Sequence, residues 1–271
     1  MSITNTTKLT AIIGNPVTHS LSPLLHNAIY ENEKVDAVML AFGSPDVAPL
    51  VAAIRALPIH LTAVTMPHKQ SIIPLLDEID TAAREIGAVN TVINDKGKLR
   101  GFNTDIIGVA AALRDTPLKG QNALLVGAGG AARPVAYQLS REGANLFCHN
   151  RDVPQAEELC KKFGGTVLPA DKLGPIPFSL IINATPVGMK PDVDAMPIPE
   201  DIIRPGAAVF DLVYSPLETK LLKTARAKGA RAISGITMFL AQGLEQERLW
   251  LGKNISDSNY AHLLEEKIET L

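Results

Sequence analysis

The chain has 271 residues, of which 46% are hydrophobic and 20% charged, with a formal net charge of −2. This length is enough for one large domain or two modest ones with a sizeable core, and the composition is that of an ordinary globular protein. With no basic block, no nucleic-acid partner is expected. Cys148 and Cys160 are too few for a disulfide framework or a cysteine-based metal cluster, so no metal site is predicted.

The N-terminal stretch MSITNTTKLTAIIG has no basic segment followed by a long apolar one, and no run of about 20 apolar residues occurs. We therefore expect neither a signal peptide nor a membrane span, and a cytoplasmic protein. The oligomeric state stays open between monomer and homodimer.

Short apolar runs alternate with amphipathic patterns along the chain, which predicts strands alternating with helices. The first series has the strands LTAII, AVMLAF, LTAVTM and VNTVI and the helices PLLHNAIYENE, DVAPLVAAIRAL and TAAREIGA. The second series, from residue 106, has the strands NALLVGAG, ANLFCHN, FSLIINAT, AAVFDLVY and RAISG and the helices DIIGVAAALRD, AARPVAYQLSREG, PQAEELCKKFG and TKLLKTARAKGA. Two helices, in ITMFLAQGLEQERLWLG and NYAHLLEEKIETL, follow. The alternation predicts two α/β domains with mainly parallel sheets and a boundary near residue 105, and it leaves open whether the C-terminal helices return to the first domain.

A glycine-rich turn, VGAGGAAR, lies between the strand NALLV and the next helix. Its glycines fit the G-x-G-x-x-G/A pattern, in which the backbone approaches a pyrophosphate at a helix N-terminus. The predicted cofactor loop consists of Gly127, Ala128, Gly129, Gly130, Ala131 and Ala132. In this strand–turn–helix context it predicts that residues 106–237 form a Rossmann-like dinucleotide-binding domain, although a glycine-rich turn without a ligand is the alternative.

The next strand ends in FCHNRDVPQ, where a Rossmann-like domain meets the adenosine ribose. A carboxylate such as Asp152 favours NAD, and an arginine such as Arg151 favours the 2′-phosphate of NADP. Since Asp152 would repel that phosphate, we expect NAD or NADP with a slight preference for NAD. The alternative is that the two side chains pair with each other on the surface.

Lys69, in VTMPHKQ, and Asp105, in GFNTDIIGV, are a candidate pair for proton transfer. A lysine and an aspartate from different segments, brought together at a domain junction, can relay a proton to or from a substrate hydroxyl. The alternatives are an ordinary surface lysine and an aspartate that caps the following helix.

Three further stretches contain candidate binding residues. THSLSP carries Ser20 and Ser22, and Ser22 before Pro23 is also a suitable helix start. Asn90, in GAVNT, lies at a helix–strand junction where a turn role is equally plausible. Gln242 lies on an otherwise apolar helix face and would need a hydrogen-bonding partner.

An ordered set of motifs resembles the shikimate dehydrogenase family, including its quinate/shikimate and shikimate dehydrogenase-like branches. The motifs are GNPVTHSLSPLLHN, VTMPHK, GAVNT, FNTD, GAGGAAR, NRD, NATPVGM, VYSPLET and GITMFLAQG, spread over most of the chain. The resemblance implies an oxidoreductase of the shikimate pathway of aromatic amino acid biosynthesis. Such an enzyme reversibly oxidises shikimate to 3-dehydroshikimate and passes hydride to NAD or NADP.

The resemblance also implies residue roles by motif position. Lys69 and Asp105 match the catalytic pair, and residues 1–105 plus 238–271 correspond to the substrate-binding and catalytic domain. Positions that match substrate ligands are Ser20, Ser22, Thr65, Asn90, Tyr214 and Gln242. Positions that match ribose and nicotinamide contacts are Asn150, Arg151, Asp152, Thr185, Val213, Gly235 and Met238.

The chain departs from the family pattern at several of these motifs. Ala63 stands where an asparagine is usual, His68 where an aromatic residue is usual, and Ile106 where a glycine is common. Asp152 and Gln155 replace a threonine and a second arginine found in NADP-dependent members. These changes leave three alternatives: a dehydrogenase of quinate or another cyclic polyol acid, a ligand-binding homologue without catalysis, or a different two-domain dehydrogenase such as a folate-type enzyme.

Overall fold

The computed structural model describes residues 3–257 and 260–270. The chain forms two compact units. The first contains the residues up to Asp105 and the segment Leu240–Leu264, and the second contains Ile106–Phe239 and the residues from Glu265. The expectation from sequence had assigned all of 238–271 to the first domain.

The first unit contains a six-stranded sheet flanked by helices. Its elements are β1 (Lys8–Gly14), α1 (Ser22–Asn32), β2 (Ala37–Gly43), α2 (Val47–Ala56), β3 (Leu61–Val64), α3 (His68–Ser71), β4 (Glu78–Ile79), α4 (Thr81–Ile86), β5 (Thr91–Asp95) and β6 (Lys98–Phe102). The strand order is β2-β1-β3-β5-β6-β4. Only β5 runs antiparallel to its neighbours, so the expected mainly parallel sheet is confirmed.

The reversal at β5 has a local cause in the sequence. Lys96 and Gly97 connect β5 to β6 and have φ values of 52° and 90°. Positive φ at both central residues is typical of the tight turn whose twist matches an antiparallel hairpin. The hairpin therefore places the start of β5 and the end of β6 beside the end of β3.

The second unit contains a six-stranded sheet in which every neighbouring pair is parallel. The elements from here to the end of the described chain are α5 (Asp105–Leu113), β7 (Asn122–Val126), α6 (Ala132–Arg141), β8 (Asn145–His149), α7 (Val153–Phe163), β9 (Thr166–Val167), β10 (Leu180–Asn183), β11 (Ala208–Asp211), α8 (Lys220–Ala227), β12 (Arg231–Ser234), α9 (Gly235–Leu251) and α10 (Tyr260–Thr270). Of the helices, α5 starts at Asp105 of the first unit, and α10 is counted with the first unit up to Leu264. Along the chain, α9 begins in this unit and continues into the residues of the first.

The strand order β12-β11-β10-β7-β8-β9 is that of a doubly wound dinucleotide-binding sheet. The predicted Rossmann-like fold is thereby confirmed. The order reverses between β7 and β10, and in such sheets ligands bind outside the carboxyl ends of the strands at this point. The apolar residues of the strands NALLV and LIIN are buried at the centre of this sheet, as is typical of parallel strands in an α/β fold.

The described helices include none that combines the length and the hydropathy needed to cross a membrane.

Gly108 provides a test of the packing within the second unit. A Cβ atom added to this helical glycine would lie 2.5 Å from the carbonyl oxygen of Met238. Gly108→Ala should lower the free energy of unfolding by about 1–3 kcal/mol despite the higher helix propensity of alanine, because backbone atoms must move.

Urea unfolding followed by circular dichroism measures this change. Gly243→Ala is the matched helical control, since its Cβ would meet the end of the flexible Leu25 side chain at 2.6 Å. Gly243→Ala should lower the free energy of unfolding clearly less than Gly108→Ala does. A Gly108→Ala protein as stable as the wild type would contradict the packing described here.

Candidate active site

Lys69 and Asp105 form a direct ion pair in the first unit. Lys69 Nζ lies 2.6 Å from Asp105 Oδ2, and the two side chains are 14% and 5% exposed. The other carboxylate oxygen, Oδ1, accepts a hydrogen bond of 2.9 Å from Asn90 Nδ2. The structure therefore joins the two candidates, and the described contacts of the Asp105 carboxylate go to side chains rather than to its own helix.

The sheet explains why these residues meet. Lys69 follows β3, Asn90 precedes β5, and Asp105 follows β6. Because β5 is antiparallel to both neighbours, its first residue pairs with Ala63 near the end of β3 and with Phe102 at the end of β6. The three segments therefore leave the same edge of the sheet.

Asn90 is the centre of a buried hydrogen-bonded cluster. It is 2% exposed, and its Oδ1 accepts from the backbone N–H of Thr104 at 2.7 Å. Its Nδ2 contacts Asp105 Oδ1, Thr104 Oγ1 at 2.9 Å and Gln242 Oε1 at 3.3 Å. Gln242 thus has the partner that the sequence required, and Asn90 has both the turn contact and the contact with the candidate catalytic pair.

The two candidate serines differ from the expectation. The N-cap position of α1 is Leu21, and no side chain caps that position. Ser20 Oγ instead accepts from the backbone N–H of Ser22 at 3.1 Å. The helix does begin at Ser22 with Pro23 next, as the sequence suggested, but the Ser22 side chain does not cap it, and Ser20 supports the helix start instead.

Thr65 lies next to the loop that carries the serines. A Cβ atom on Gly14 would lie 2.3 Å from Thr65 Cγ2, so only glycine permits this approach. The backbone N–H of Asn15 donates to the carbonyl of Met66 at 2.9 Å. Thr65 and Ser20 are therefore on two adjoining loops after β3 and β1, and Ser22 begins the helix that follows the second of these loops. Tyr214, in contrast, belongs to the second unit, where its ring packs on Phe239 with centroids 4.8 Å apart, and burial raises its pKa to about 12.

The glycine turn has the features that a pyrophosphate requires. Gly127 has φ +105°, and a Cβ there would lie 2.9 Å from Thr185 Cγ2, so no other residue fits. A Cβ on Gly129 would meet nothing within 4 Å, so the backbone is open to a ligand. No side chain caps the N-terminus of α6 at Ala131. The N–H of Ala132 is used in the turn, where it donates to the carbonyl of Gly129 at 3.0 Å. The open backbone at Gly129 and the uncapped helix start are therefore the features that fit a dinucleotide.

The remaining cofactor candidates follow the carboxyl ends of parallel strands in the second unit. They are Asn150, Arg151 and Asp152 after β8, Thr185 after β10, Val213 after β11, and Gly235 and Met238 after β12. Because all strands are parallel, these ends lie at one edge of the sheet. Gly235 also has a packing reason, since its Cβ would lie 2.5 Å from the carbonyl oxygen of Leu212.

Asp152 does not have the position expected of a ribose-reading carboxylate. It is the N-cap residue of α7, and its Oδ1 accepts from the backbone N–H of Gln155 at 3.2 Å. Asn150 Nδ2 donates to the carbonyl of Asp152 at 2.8 Å and to Gln155 Oε1 at 3.2 Å. Among the described residues, none makes a hydrogen bond or ion pair with the exposed Arg151, so the alternative of a surface pair between Arg151 and Asp152 is not seen there.

Two departures from the family pattern, His68 and Ala63, have local explanations in the first unit, and the third, Ile106, begins the second unit. His68 is buried, and its Nε2 lies 2.8 Å from the carbonyl oxygen of Ser44, so this ring nitrogen donates to the loop after β2. Ala63 belongs to an apolar cluster with Ile12 and Val17. Ile106 is half-buried at the start of α5.

Sequence reasoning missed a buried network at the ends of β10 and β11. Asp211 Oδ1 accepts from Asn183 Nδ2 at 2.9 Å and from the N–H of Val213 at 3.0 Å, and Oδ2 accepts from Thr219 Oγ1 at 2.6 Å. Asn183 Oδ1 accepts from Thr185 Oγ1 at 2.6 Å. The network therefore shapes the loops that carry Thr185 and Val213. A polar residue ending each of two apolar strands was the signal that could have found it.

Comparison with known proteins identifies the family. The family model for the shikimate dehydrogenase substrate binding domain matches residues 12–92, and the family model for shikimate / quinate 5-dehydrogenase matches residues 110–183. The shikimate dehydrogenase (NADP(+)) of Pyrococcus furiosus is 42% identical over 258 residues, which are 93% of each chain. The chain belongs to the shikimate dehydrogenase family.

Solved members of the shikimate dehydrogenase family have the same fold. The enzyme from Thermus thermophilus, in complex with NADP(H) and shikimate, is 36% identical with a TM-score of 0.85, over 94% of this chain and 97% of that one. The enzyme from Listeria monocytogenes, in complex with shikimate and NAD, is 32% identical with a TM-score of 0.85, over 97% and 98%. Solved relatives thus bind either nicotinamide cofactor. The relatives from Pyrococcus furiosus and Moorella thermoacetica are named as NADP(+) enzymes, so the slight preference for NAD inferred from Asp152 is not supported.

Asp211 predicts a pH dependence of stability for this family member. Burial raises its pKa from 3.8 to about 6, and its three hydrogen bonds only partly offset this effect. Between pH 4 and 6 the unfolded chain loses the Asp211 proton while the folded chain keeps it. The contribution of this group to folding stability therefore decreases as pH rises through that window, by about 3 kcal/mol at most.

Asp211→Asn should remove this contribution. The difference in unfolding free energy, wild type minus variant, should fall between pH 4 and pH 7 in urea titrations followed by circular dichroism. Asp171→Asn, at an exposed position in the same unit, should keep the wild-type profile. A wild-type-minus-Asp211→Asn difference that is constant with pH would contradict the assignment.

Proposed function

We propose that this protein catalyses the reversible NADP-dependent oxidation of shikimate to 3-dehydroshikimate. The observation that carries the proposal is the 2.6 Å pair of Lys69 and Asp105, connected through Asn90 to Gln242, in a chain of this family. In this proposal, the first unit is the substrate-binding and catalytic domain and the second unit binds the cofactor.

Proton transfer is assigned to Lys69. In the oxidation, the neutral amine accepts the proton of the reacting hydroxyl, and in the reduction the ammonium returns it. Asp105 holds the amine through Oδ2 and is itself held by Asn90 through Oδ1. The oxidised nicotinamide, when bound, supplies the acceptor for the hydride that leaves the substrate carbon.

Substrate binding is assigned to polar groups around this pair. Hydroxyls of Ser20, Ser22 and Thr65 suit a carboxylate and ring hydroxyls, because each can donate or accept a hydrogen bond. The amides of Asn90 and Gln242 offer both functions as well. Tyr214 of the second unit completes the proposed set of substrate ligands.

The cofactor is assigned to the second unit, with its pyrophosphate at the Gly127–Ala132 loop and the nicotinamide near Thr185, Val213, Gly235 and Met238. NADP is favoured because Arg151 is an exposed cation beside the ribose position, while the Asp152 carboxylate is occupied by the N–H of Gln155.

Lys69→Met removes the amine and keeps an unbranched apolar side chain. Turnover of shikimate with NADP should fall about 10²–10⁴-fold, the range of general acid–base catalysis. Calorimetric binding of shikimate and of NADP should change little. Lys98→Met, at an exposed position of the same unit, should behave as the wild type. Retained turnover in Lys69→Met would refute the assigned role.

Arg151→Ala tests the cofactor. Loss of a charged hydrogen bond to the 2′-phosphate costs about 1.5–3 kcal/mol, so KM for NADP should rise about 10–100-fold while KM for NAD stays nearly constant. Arg114→Ala, which removes an exposed arginine elsewhere in the unit, is the control. Equal losses with both cofactors would show that Arg151 does not read the phosphate.

A further inference from the structure

We propose that Thr91 and Gln246 are positioning residues, which fix the side-chain amide of Asn90 so that it donates to Asp105 at all times. The proposal rests on the proposed function, because it deepens the roles of Lys69 and Asp105. None of the sequence motifs assigned a role to either residue.

The first link is the donor that Thr91 supplies. Thr91 Oγ1 donates to Asn90 Oδ1 at 2.8 Å, beside the N–H of Thr104 at 2.7 Å. If the Asn90 amide rotated by half a turn, its oxygen would face the Asp105 carboxylate and its NH₂ would face two donors. Both Thr91 and Thr104 therefore oppose rotation, and Nδ2 is directed at Asp105 Oδ1.

The second link is Gln246 on α9. Its Nε2 donates to Thr91 Oγ1 at 3.0 Å and to the carbonyl oxygen of Asn90 at 3.2 Å. A carbonyl can only accept, so this contact fixes which end of the Gln246 amide faces Thr91. Thr91 Oγ1 accepts from Gln246, and its single proton has two oxygens in reach, Asn90 Oδ1 at 2.8 Å and Thr104 Oγ1 at 3.2 Å. The shorter contact directs the proton to Asn90.

The result is a hydrogen-bonded chain with one direction. Gln246 donates to Thr91, Thr91 donates to Asn90, and Asn90 donates to Asp105. A backbone group that cannot reverse its polarity fixes each amide: the carbonyl of Asn90 fixes Gln246, and the N–H of Thr104 fixes Asn90. Because this chain of hydrogen bonds ends at Oδ1 of Asp105, the other carboxylate oxygen, Oδ2, accepts from Lys69.

Burial makes these contacts matter. Thr91 is 0% exposed and Gln246 is 1% exposed, so water does not replace a lost donor easily. Gln246 Oε1 is buried without a partner among the described residues. A buried carbonyl oxygen without a donor lowers the free energy of unfolding, so Gln246 does not serve stability through its oxygen. We therefore assign its role to the NH₂ group.

The experiment compares Thr91→Val with Thr91→Ser and Gln246→Met. Valine and methionine keep the approximate shape of each side chain but cannot donate. Thr91→Val and Gln246→Met should lower kcat for shikimate about tenfold, with KM within about threefold, and Thr91→Ser should restore most of the activity. In the double variant, the decrease in kcat should be smaller than the two single decreases predict together, because both substitutions interrupt the same chain of hydrogen bonds.

Thr62→Val is the matched control. Thr62 is also 0% exposed, lies on β3 of the same sheet, and its Oγ1 has no partner among the described residues. It should retain wild-type kcat. Gln246→Met should remain as stable as the wild type, so a parallel loss of stability and kcat would indicate a purely structural role and overturn the proposal.

A second readout does not depend on activity. In the wild type, NMR should show the side-chain NH₂ of Asn90 as one ordered pair protected from hydrogen exchange, and Thr91→Val should lose this protection. If the wild type turns over no shikimate, the proposed function fails, and this readout still decides whether Thr91 and Gln246 fix the amide. Wild-type kcat and unchanged protection in both variants would overturn the positioning role.

Discussion

The arrangement of the first unit depends on one buried amide. Asn90 lies just before β5 and beside the end of β3, where its carbonyl accepts from the N–H of Val64 at 2.7 Å. It donates to Asp105, the partner of Lys69, and its hydrogen bonds connect strands, helix α5 and helix α9. An amide with 2% exposure must satisfy its donors and acceptor within the protein. This requirement orients the neighbouring groups, and the orientation of the Lys69–Asp105 pair follows from it.

Helix α9 contributes to this arrangement through several side chains on adjacent turns. Gln242 and Gln246 contact Asn90, and Glu247 contacts α1, where it accepts from Tyr30 Oη at 2.7 Å and lies 2.5 Å from His26 Nδ1. Burial raises the pKa of the Tyr30 hydroxyl, which therefore stays a donor to Glu247. A helix far away in sequence is thus anchored at one point and supplies polar groups at another.

In the second unit, as in the first, buried polar residues hold the loops that carry the proposed binding residues. A parallel sheet brings its carboxyl ends to one edge, where glycines permit close backbone approach and polar strand ends shape the loops. Asp211 and Asn183 hold two of these loops, and Gly127 leaves space for a third beside Thr185. The chemistry proposed for each unit is therefore carried by loops that buried polar residues hold in place.

The sequence by itself determined the alternation of strands and helices, the Rossmann-like second unit and the family, because these depend on periodicity, turn residues and the order of short motifs. It also identified Lys69, Asp105, Asn90 and Gln242, which stand in such motifs. Only the tertiary structure decided that Asp152 caps α7, that Ser20 supports α1, and that Thr91 and Gln246 complete the hydrogen-bonded chain. A polar residue type is compatible with several partners. For Gln246 the partner lies more than a hundred residues away in sequence, and for Asp152 and Ser20 the backbone conformation makes the choice, so neither kind of contact can be read from residue type and spacing.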